Sequence, residues 1–303
     1  MEQPGAPTRS RRGRMWQSRT DSGRPQPTET WMSTSNGWRP PGDLDLSEID
    51  QRLFNNSVRK AMDILSAFTL APAPQTIQDL VKTTGSDRSS VQRAVYTLHK
   101  LGYLTHDPVT RRYAVSLKMM DLAFAYLRSD RLTEATLPHM AALTDRCGES
   151  VHLSRLDGWD ILYLVRLPRG QHQYFAGLPG RRRPAFCTSG GRAILSLWDR
   201  EAARHYLQES PREPLTSFTV TDPVRLMEMI DEARERGYAT SDEETLLGDC
   251  GLSVALPIGK TGEVAALHLT YSRYAYDRSR AMAELLPHLL SAGNAIRHAL
   301  AAG

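Results

Sequence analysis

The chain has 303 residues, with 38 Lys+Arg against 34 Asp+Glu and a formal net charge of +4. That length accommodates about two domains of roughly 100–200 residues each, and 40% apolar with 24% charged residues excludes a chain disordered throughout. The longest apolar stretches, such as 281–290, are broken by Glu284, Pro287 and His288 and fall short of the ~18 apolar residues of a membrane span.

Three widely spaced cysteines, Cys147, Cys187 and Cys250, do not form a disulfide framework. Reduced thiols in a cytoplasm fit them better, and no apolar segment follows the Arg-rich start to make a secretory signal. The charge is unevenly spread: residues 1–42 carry +4, 43–53 carry −3, 54–116 carry +4 and 117–303 carry −1. A small basic segment beside a large near-neutral one suggests a nucleic-acid module joined to something else.

Residues 1–53 are rich in Pro, Gly, Ser, Thr and Arg and lack periodicity, and they read as a disordered tail, with Met32 as an alternative initiator. From Asn56 the pattern is helical, with Val58, Ala61, Met62, Ile64, Leu65 and Phe68 on one face and Ser57 as N-cap. Pro72 and Pro74 end this helix. Thr76 caps a short helix over 77–83, which Gly85 terminates, since glycine enters a left-handed turn without steric cost. A third helix runs from Arg88 to about Leu101. Runs at 103–105 and 113–115, joined through Asp107-Pro108, read as a hairpin. Helix, short helix, tight turn, helix and hairpin make a winged helix-turn-helix over 54–116.

Residues 117–130 read as a connecting helix. After Gly148 the texture is α+β. Strands are expected at 151–156, 161–165, 174–176, 251–257 and 263–270. Helices are expected at 132–146, 192–198, 201–208 and 223–236, with a single closing helix over about 277–299.

A recognition helix needs one face packed on its neighbours and another offering hydrogen-bonding groups to the major groove. Val91, Val95 and Leu98 supply the packing. Arg88, Ser89, Ser90, Gln92, Arg93 and Tyr96 remain for DNA, with Arg93 suited to guanine or phosphate and Gln92 to adenine. Arg111 and Arg112 on the wing suit backbone or minor-groove contact. Further along, Thr188-Ser189-Gly190-Gly191 directly precedes a helix. Backbone N–H groups and hydroxyls at a helix start favour an anion or carboxylate, although helix capping alone also explains the motif.

Asn56-Ser57-Val58-Arg59-Lys60-Ala61-Met62-Asp63-Ile64-Leu65, Ser89-Ser90-Val91-Gln92-Arg93 and Leu101-Gly102-Tyr103-Leu104 resemble the N-terminal domain of IclR-type bacterial transcription regulators. Gly148-Glu149-Ser150-Val151-His152-Leu153, Cys187-Thr188-Ser189-Gly190-Gly191-Arg192-Ala193 and Arg236-Gly237-Tyr238, followed by Asp242-Glu243-Glu244, resemble the effector domain of that family. The resemblance implies a GAF-like effector-binding domain over 131–303, joined by the linker helix to the winged helix. It also implies a homodimer or dimer of dimers on a palindromic double-stranded operator, and a small organic or aromatic acid as effector. Repression is the expected sign of control.

Carried over by position, Phe175 would supply an apolar wall. Ser241 stands where relatives often have an acid, beside Asp242. Gly251 stands where they often have cysteine, beside Cys250. His268 and Thr270 occupy alternate strand positions that are often hydroxyl-bearing and that share a face; His268 is equally readable as a hydrogen-bonded core residue. Arg181-Arg182-Arg183 reads as solvated loop, with anion steering as the alternative.

No nucleophile elbow, P-loop or paired-histidine zinc motif is present in the sequence. Cys187 reads as a small buried residue more readily than as an activated thiol. Cys147, His152, Cys187, Cys250 and His268 lack metal-ligand spacing, so neither metal nor cofactor is expected. A ligand-responsive regulator is the primary reading. A DNA-binding module fused to a small-molecule enzyme and a constitutive regulator with a degenerate pocket are the alternatives.

Overall fold

The computed structural model describes residues 50, 52–71, 73–169, 178–259 and 262–302. The expected tail lies almost entirely outside them, as do Phe175 and the strand expected at 174–176.

The first unit contains α1 (Asn56–Leu70), α2 (Ile77–Thr84), α3 (Arg88–Lys100), β1 (Leu104–Asp107) and β2 (Arg112–Val115). Asn55, not Ser57, caps α1, because its side-chain oxygen accepts from the amides of both Ser57 and Val58. Thr76 and Asp79 form a reciprocal capping box on α2, and Gly85 closes that helix at φ +65°. Asp87 caps α3. Ile64, Ala67, Phe68, Leu80, Val91, Val95, Leu98 and Leu104 form one core. Each Val-to-Phe-sized side chain so buried contributes about 1.5–3 kcal/mol. Gln75 pairs with Tyr113 through both backbone bonds, which ties the wing to the start of α2.

α4 (Lys118–Ser129) follows and contains no buried residue. Leu117, Met120, Leu122, Phe124 and Tyr126 along it are all exposed. α5 (Arg131–Cys147) then leads into a six-stranded antiparallel sheet made by β3 (Ser150–Asp157), β4 (Asp160–Leu167), β5 (Arg182–Pro184), β6 (Ala239–Asp242), β7 (Asp249–Ile258) and β8 (Glu263–Ser272). The strand order is β5-β4-β3-β8-β7-β6.

One sheet face packs Val151, Leu153, Leu252, Val254, Leu267 and Leu269 against Met140 and Leu143 of α5 and against the chain's end. The other packs Ile161, Ala255 and Ala266 under α6 (Ser189–Ser196), α7 (Arg200–Glu209) and α8 (Pro223–Arg236).

Three expectations change here. The segment 182–184 is strand β5 on the sheet edge and not loop. The motif Ser189-Gly190-Gly191 is the first turn of α6 itself, with Thr188 as N-cap, so the helix starts three residues earlier than expected. The closing helix is two, α9 (Arg278–Glu284) and α10 (Leu286–Ala302). Pro287 explains the break: lacking an N–H it cannot continue the ladder from α9, but it suits the first turn of a new helix.

Candidate functional site

The exposed face of α3 presents Arg88, Ser89, Gln92, Arg93 and Tyr96 to solvent, while Ser90 is half-buried. The two serines are already engaged. The Ser89 hydroxyl donates to Asp87 at 2.7 Å, and the Ser90 amide donates to the same carboxylate at 2.9 Å. Hydrogen bonding from the Ser90 side chain foremost, then from the Ser89 hydroxyl and the Ser90 amide, holds the Asp87 carboxyl well below its ordinary pKa. Ser90 Oγ also accepts from Lys60 at 3.0 Å and from Arg93 at 3.4 Å. Lys60 of α1 is thereby brought to the start of α3, a placement that the sequence pattern alone did not single out.

The two wing arginines differ. Arg112 donates to the Pro74 carbonyl at 2.7 Å and lies 3.8 Å from Asp79, so it braces the wing against α2. Arg111 sits at the hairpin turn with φ +55° and is exposed.

The second region lies between the start of α6 and the sheet. Thr188 Oγ1 accepts from the Gly191 amide at 3.0 Å and donates to the Ala185 carbonyl at 3.2 Å. Gly191 presses on the Ala185 backbone so closely that no Cβ could fit. Gly190 presses on the His268 imidazole with the same result. Ser189 Oγ lies 2.7 Å from Ser253 Oγ. A Cβ on Gly251 would sit 2.7 Å from both Ser189 Oγ and Ser241 Oγ, so these three residues converge. Ser241 pairs with Gly251, and Gly251 with Thr270, across the sheet.

Ser189, Gly190, Ser241, Gly251, His268 and Thr270 therefore share one face. Asp242 and Cys250 do not. Cys250 belongs to the opposite core and donates its thiol to Asp242 at 3.0 Å, and Asp242 also faces Arg273 at 3.4 Å. The strand period of two separates neighbours in sequence onto opposite faces. Phe175 lies outside the described residues.

The same face carries polar residues that family position did not supply. His152 is paired in register with His268. His268 Nε2 lies 2.5 Å from Ser154 Oγ. The Tyr163 ring is 5.5 Å from both imidazoles, and the Arg166 guanidinium stacks over it at 4.6 Å. Burial pushes His268 down to about 3, helped by Arg166, and pushes His152 well below its ordinary value. Both imidazoles are therefore neutral at pH 7. His152 Nδ1 and Arg166 Nε are buried without a partner.

Across this region Arg192, nearly fully buried, pairs with buried Glu244 and donates to the carbonyls of Phe186 at 3.1 Å and Thr240 at 2.8 Å. It anchors α6 to the β6–β7 loop. Burial pushes the Cys187 thiol up to about 12, which removes it as a nucleophile near neutral pH. Among the described residues no three His, Cys, Asp or Glu gather into a metal cluster, and no helix is long and apolar enough to cross a membrane.

Comparison with known proteins agrees with this division. The family model described as the bacterial transcriptional regulator IclR C-terminal domain matches residues 124–298, and the IclR helix-turn-helix domain matches residues 57–108. The Pca regulon regulatory protein of Pseudomonas putida is 33% identical over 251 residues, covering 82% of this chain and 84% of its own length. An IclR transcriptional regulator from Alicyclobacillus acidocaldarius shares the fold at TM-score 0.71 and 19% identity, over 81% of this chain and 99% of its own. An IclR homologue from Microbacterium hydrocarbonoxydans, solved in complex with 4-hydroxybenzoate, superposes at TM-score 0.67 and 24% identity, over 82% of this chain and 100% of its own. A winged helix-turn-helix followed by the six-stranded sheet with its α6 motif, matched at both ends by these domains, places the chain in the IclR family of bacterial transcriptional regulators, a family of regulators and not of enzymes.

Proposed function

We propose that this chain is an effector-controlled repressor whose 54–116 segment reads DNA, whose 117–130 segment transmits, and whose 131–303 segment senses a small organic or aromatic acid. The observation that carries the sensing half is the buried polar face beneath α6, where His152 Nδ1 and Arg166 Nε have no partner. Buried polar atoms left in that state are costly unless something fills them. The 4-hydroxybenzoate complex of the Microbacterium relative supplies the chemical class.

In this reading Arg93 and Gln92 contact base edges. Arg88, Tyr96, Lys60 and the wing's Arg111 contact the backbone, and Ser89 and Ser90 hold the helix start in shape. Two chains set their α3 helices in successive major grooves, ~34 Å apart, on a palindromic operator in the cytoplasm. The exposed apolar side chains of α4, Met120 and Phe124 on one side and Leu122 and Tyr126 on the other, support the homodimer, because large apolar side chains clustered in solvent mark a contact surface. Effector binding alters the sensor and, through α4, the spacing of the two heads. A coupling of ~1–3 kcal/mol suffices.

The test is a screen of organic acids scored by release of the operator in footprinting. An acid that binds and releases DNA is the expected result. A chain that holds its operator regardless of every acid overturns the sensing half. Sedimentation of the full chain reads the dimer directly, and a monomer at micromolar concentration would remove it.

A further inference from the structure

The sheet face beneath α6 holds two buried arginines, Arg166 and Arg183, with no carboxylate in contact among the described residues. Arg166 on β4 is in register with His152 on β3, His152 with His268 on β8, and His268 with Ser253 on β7. The four form one row across the sheet. Arg183 on β5 is in register with Ile161, two residues before Tyr163 on β4, and it is felt electrostatically by Tyr163, Cys187 and Asp249. Arg166 and Arg183 are each lowered from the ordinary arginine value by burial.

Other shielded arginines of this domain have partners: Arg155 has Glu263, Arg182 has Asp157 and Arg192 has Glu244, while Arg212 and Arg297 are held by backbone carbonyls. Among the described residues neither Arg166 nor Arg183 has a carboxylate in contact. Asp249 and Asp160 act on them only through space, and burial pushes both of those carboxyls up. Both nearby imidazoles are neutral.

The start of α6 is engaged in part from within. The Gly191 amide is taken by Thr188 Oγ1, the Arg192 amide by the Thr188 carbonyl and the Ser189 hydroxyl by Ser253. The His268 ring lies over Gly190.

We infer that Arg166 and Arg183 are the groups that receive the carboxylate of the effector, while the start of α6 forms the wall against its uncharged part. This rests on the reading of the domain as a sensor of organic acids. A guanidinium offers a planar fork of donors that matches a carboxylate. Such a ligand supplies Arg166 Nε with its missing acceptor and gives both guanidiniums a carboxylate in direct contact.

The test is calorimetry on the full chain with benzoate, 4-hydroxybenzoate and adipate, each beside its primary amide. The wild type is expected to prefer acid to amide by at least ~10-fold, the size of one charge-assisted pair. Arg166→Gln and Arg183→Gln are expected to weaken acid binding by at least ~10-fold while moving the amide by less than about threefold. Arg166→Lys keeps part of the preference, because it keeps the charge without the fork. Operator binding without ligand, unchanged in each variant, shows that the chain is folded. An acid-to-amide preference that survives the Arg166→Gln/Arg183→Gln double variant overturns the inference and leaves the sensor reading standing. Equal loss of acid and amide binding overturns it as well, since that marks a structural role. If no acid of the panel binds the wild type, the organic-acid reading itself fails.

Discussion

The imidazole of His268 occupies the space that any side chain at position 190 would need, so Gly190 and His268 form a single contact between α6 and β8. The contact is tightened by Ser154, whose hydroxyl lies 2.5 Å from the same ring. Gly190→Ala must therefore displace the ring and break that bond. Overpacking of this kind costs about 1–3 kcal/mol. Urea unfolding reads the loss, and effector affinity should fall with it. Gly190→Ala/His268→Ala should be less destabilised than the two single changes added together, because the second change removes the clash that the first creates.

Arg192 and Glu244 make the buried ion pair of the sensor. Glu244→Gln leaves a guanidinium inside without its counter-charge. A loss of about 3–5 kcal/mol is expected, as for other buried pairs broken on one side. The measurement is the urea midpoint, with the slope checked for constancy. A change below about 1 kcal/mol would mean that Arg192 is held by its carbonyl partners alone.

The two wing arginines should separate by salt dependence. Arg111, exposed at the turn, should reduce the slope of log affinity against log salt by about 1 when changed to alanine. Arg112 is spent on Pro74 and Asp79, so Arg112→Ala should leave that slope unchanged while loosening the wing. Arg93→Ala should cost about 1–3 kcal/mol at one operator position and relax selectivity there. Footprints on operator variants at fixed salt distinguish the three.

The neutral histidines predict an acid-side weakness. In the unfolded chain both imidazoles titrate near ~6.5, whereas burial holds His268 down to about 3 and His152 well below its ordinary value. Between those limits the unfolded state binds more protons, so stability falls as pH is lowered from about 6.5. Asp160 and Asp249, raised by burial, oppose the trend at lower pH. The informative quantity is thus a difference. His268→Gln keeps a polar partner for Ser154 but cannot titrate, and its stability should decline less than wild type between pH 7 and about pH 5. Parallel curves would show that His268 is not the group responsible.

Much of the first unit was legible in the sequence because its signals are local. Thr76 followed by Asp79, Gly85 at a left-handed turn and the 3.6-residue spacing of Val91, Val95 and Leu98 each act within one or two turns of helix. The sensor was legible in its strands and less so in its site. Gly190 and His268 are 78 positions apart in sequence, and nothing local says that they touch. The sequence pattern of β5, two arginines and a proline, reads as loop, since its strand character comes only from pairing with β4. Arg166 and His152 were hidden for a related reason. Each alternates with apolar residues as an ordinary sheet position would, and only the register between strands gathers them. Asp242 and Cys250 were misassigned by one step along their strands, which is the whole difference between the two faces of a sheet.

None of the twelve residues of α4 is buried. Its helical state is consequently not guaranteed by the core on either side of it. A twelve-residue helix is marginal in water without packing, so a partner that covered its exposed apolar residues would also decide whether it is a rod or a hinge. Dilution below the dissociation constant of the proposed dimer and the proposed effector-driven separation of the heads would then act on the same variable, the stiffness of the connector. Operator occupancy should follow protein concentration more steeply than two independent heads allow.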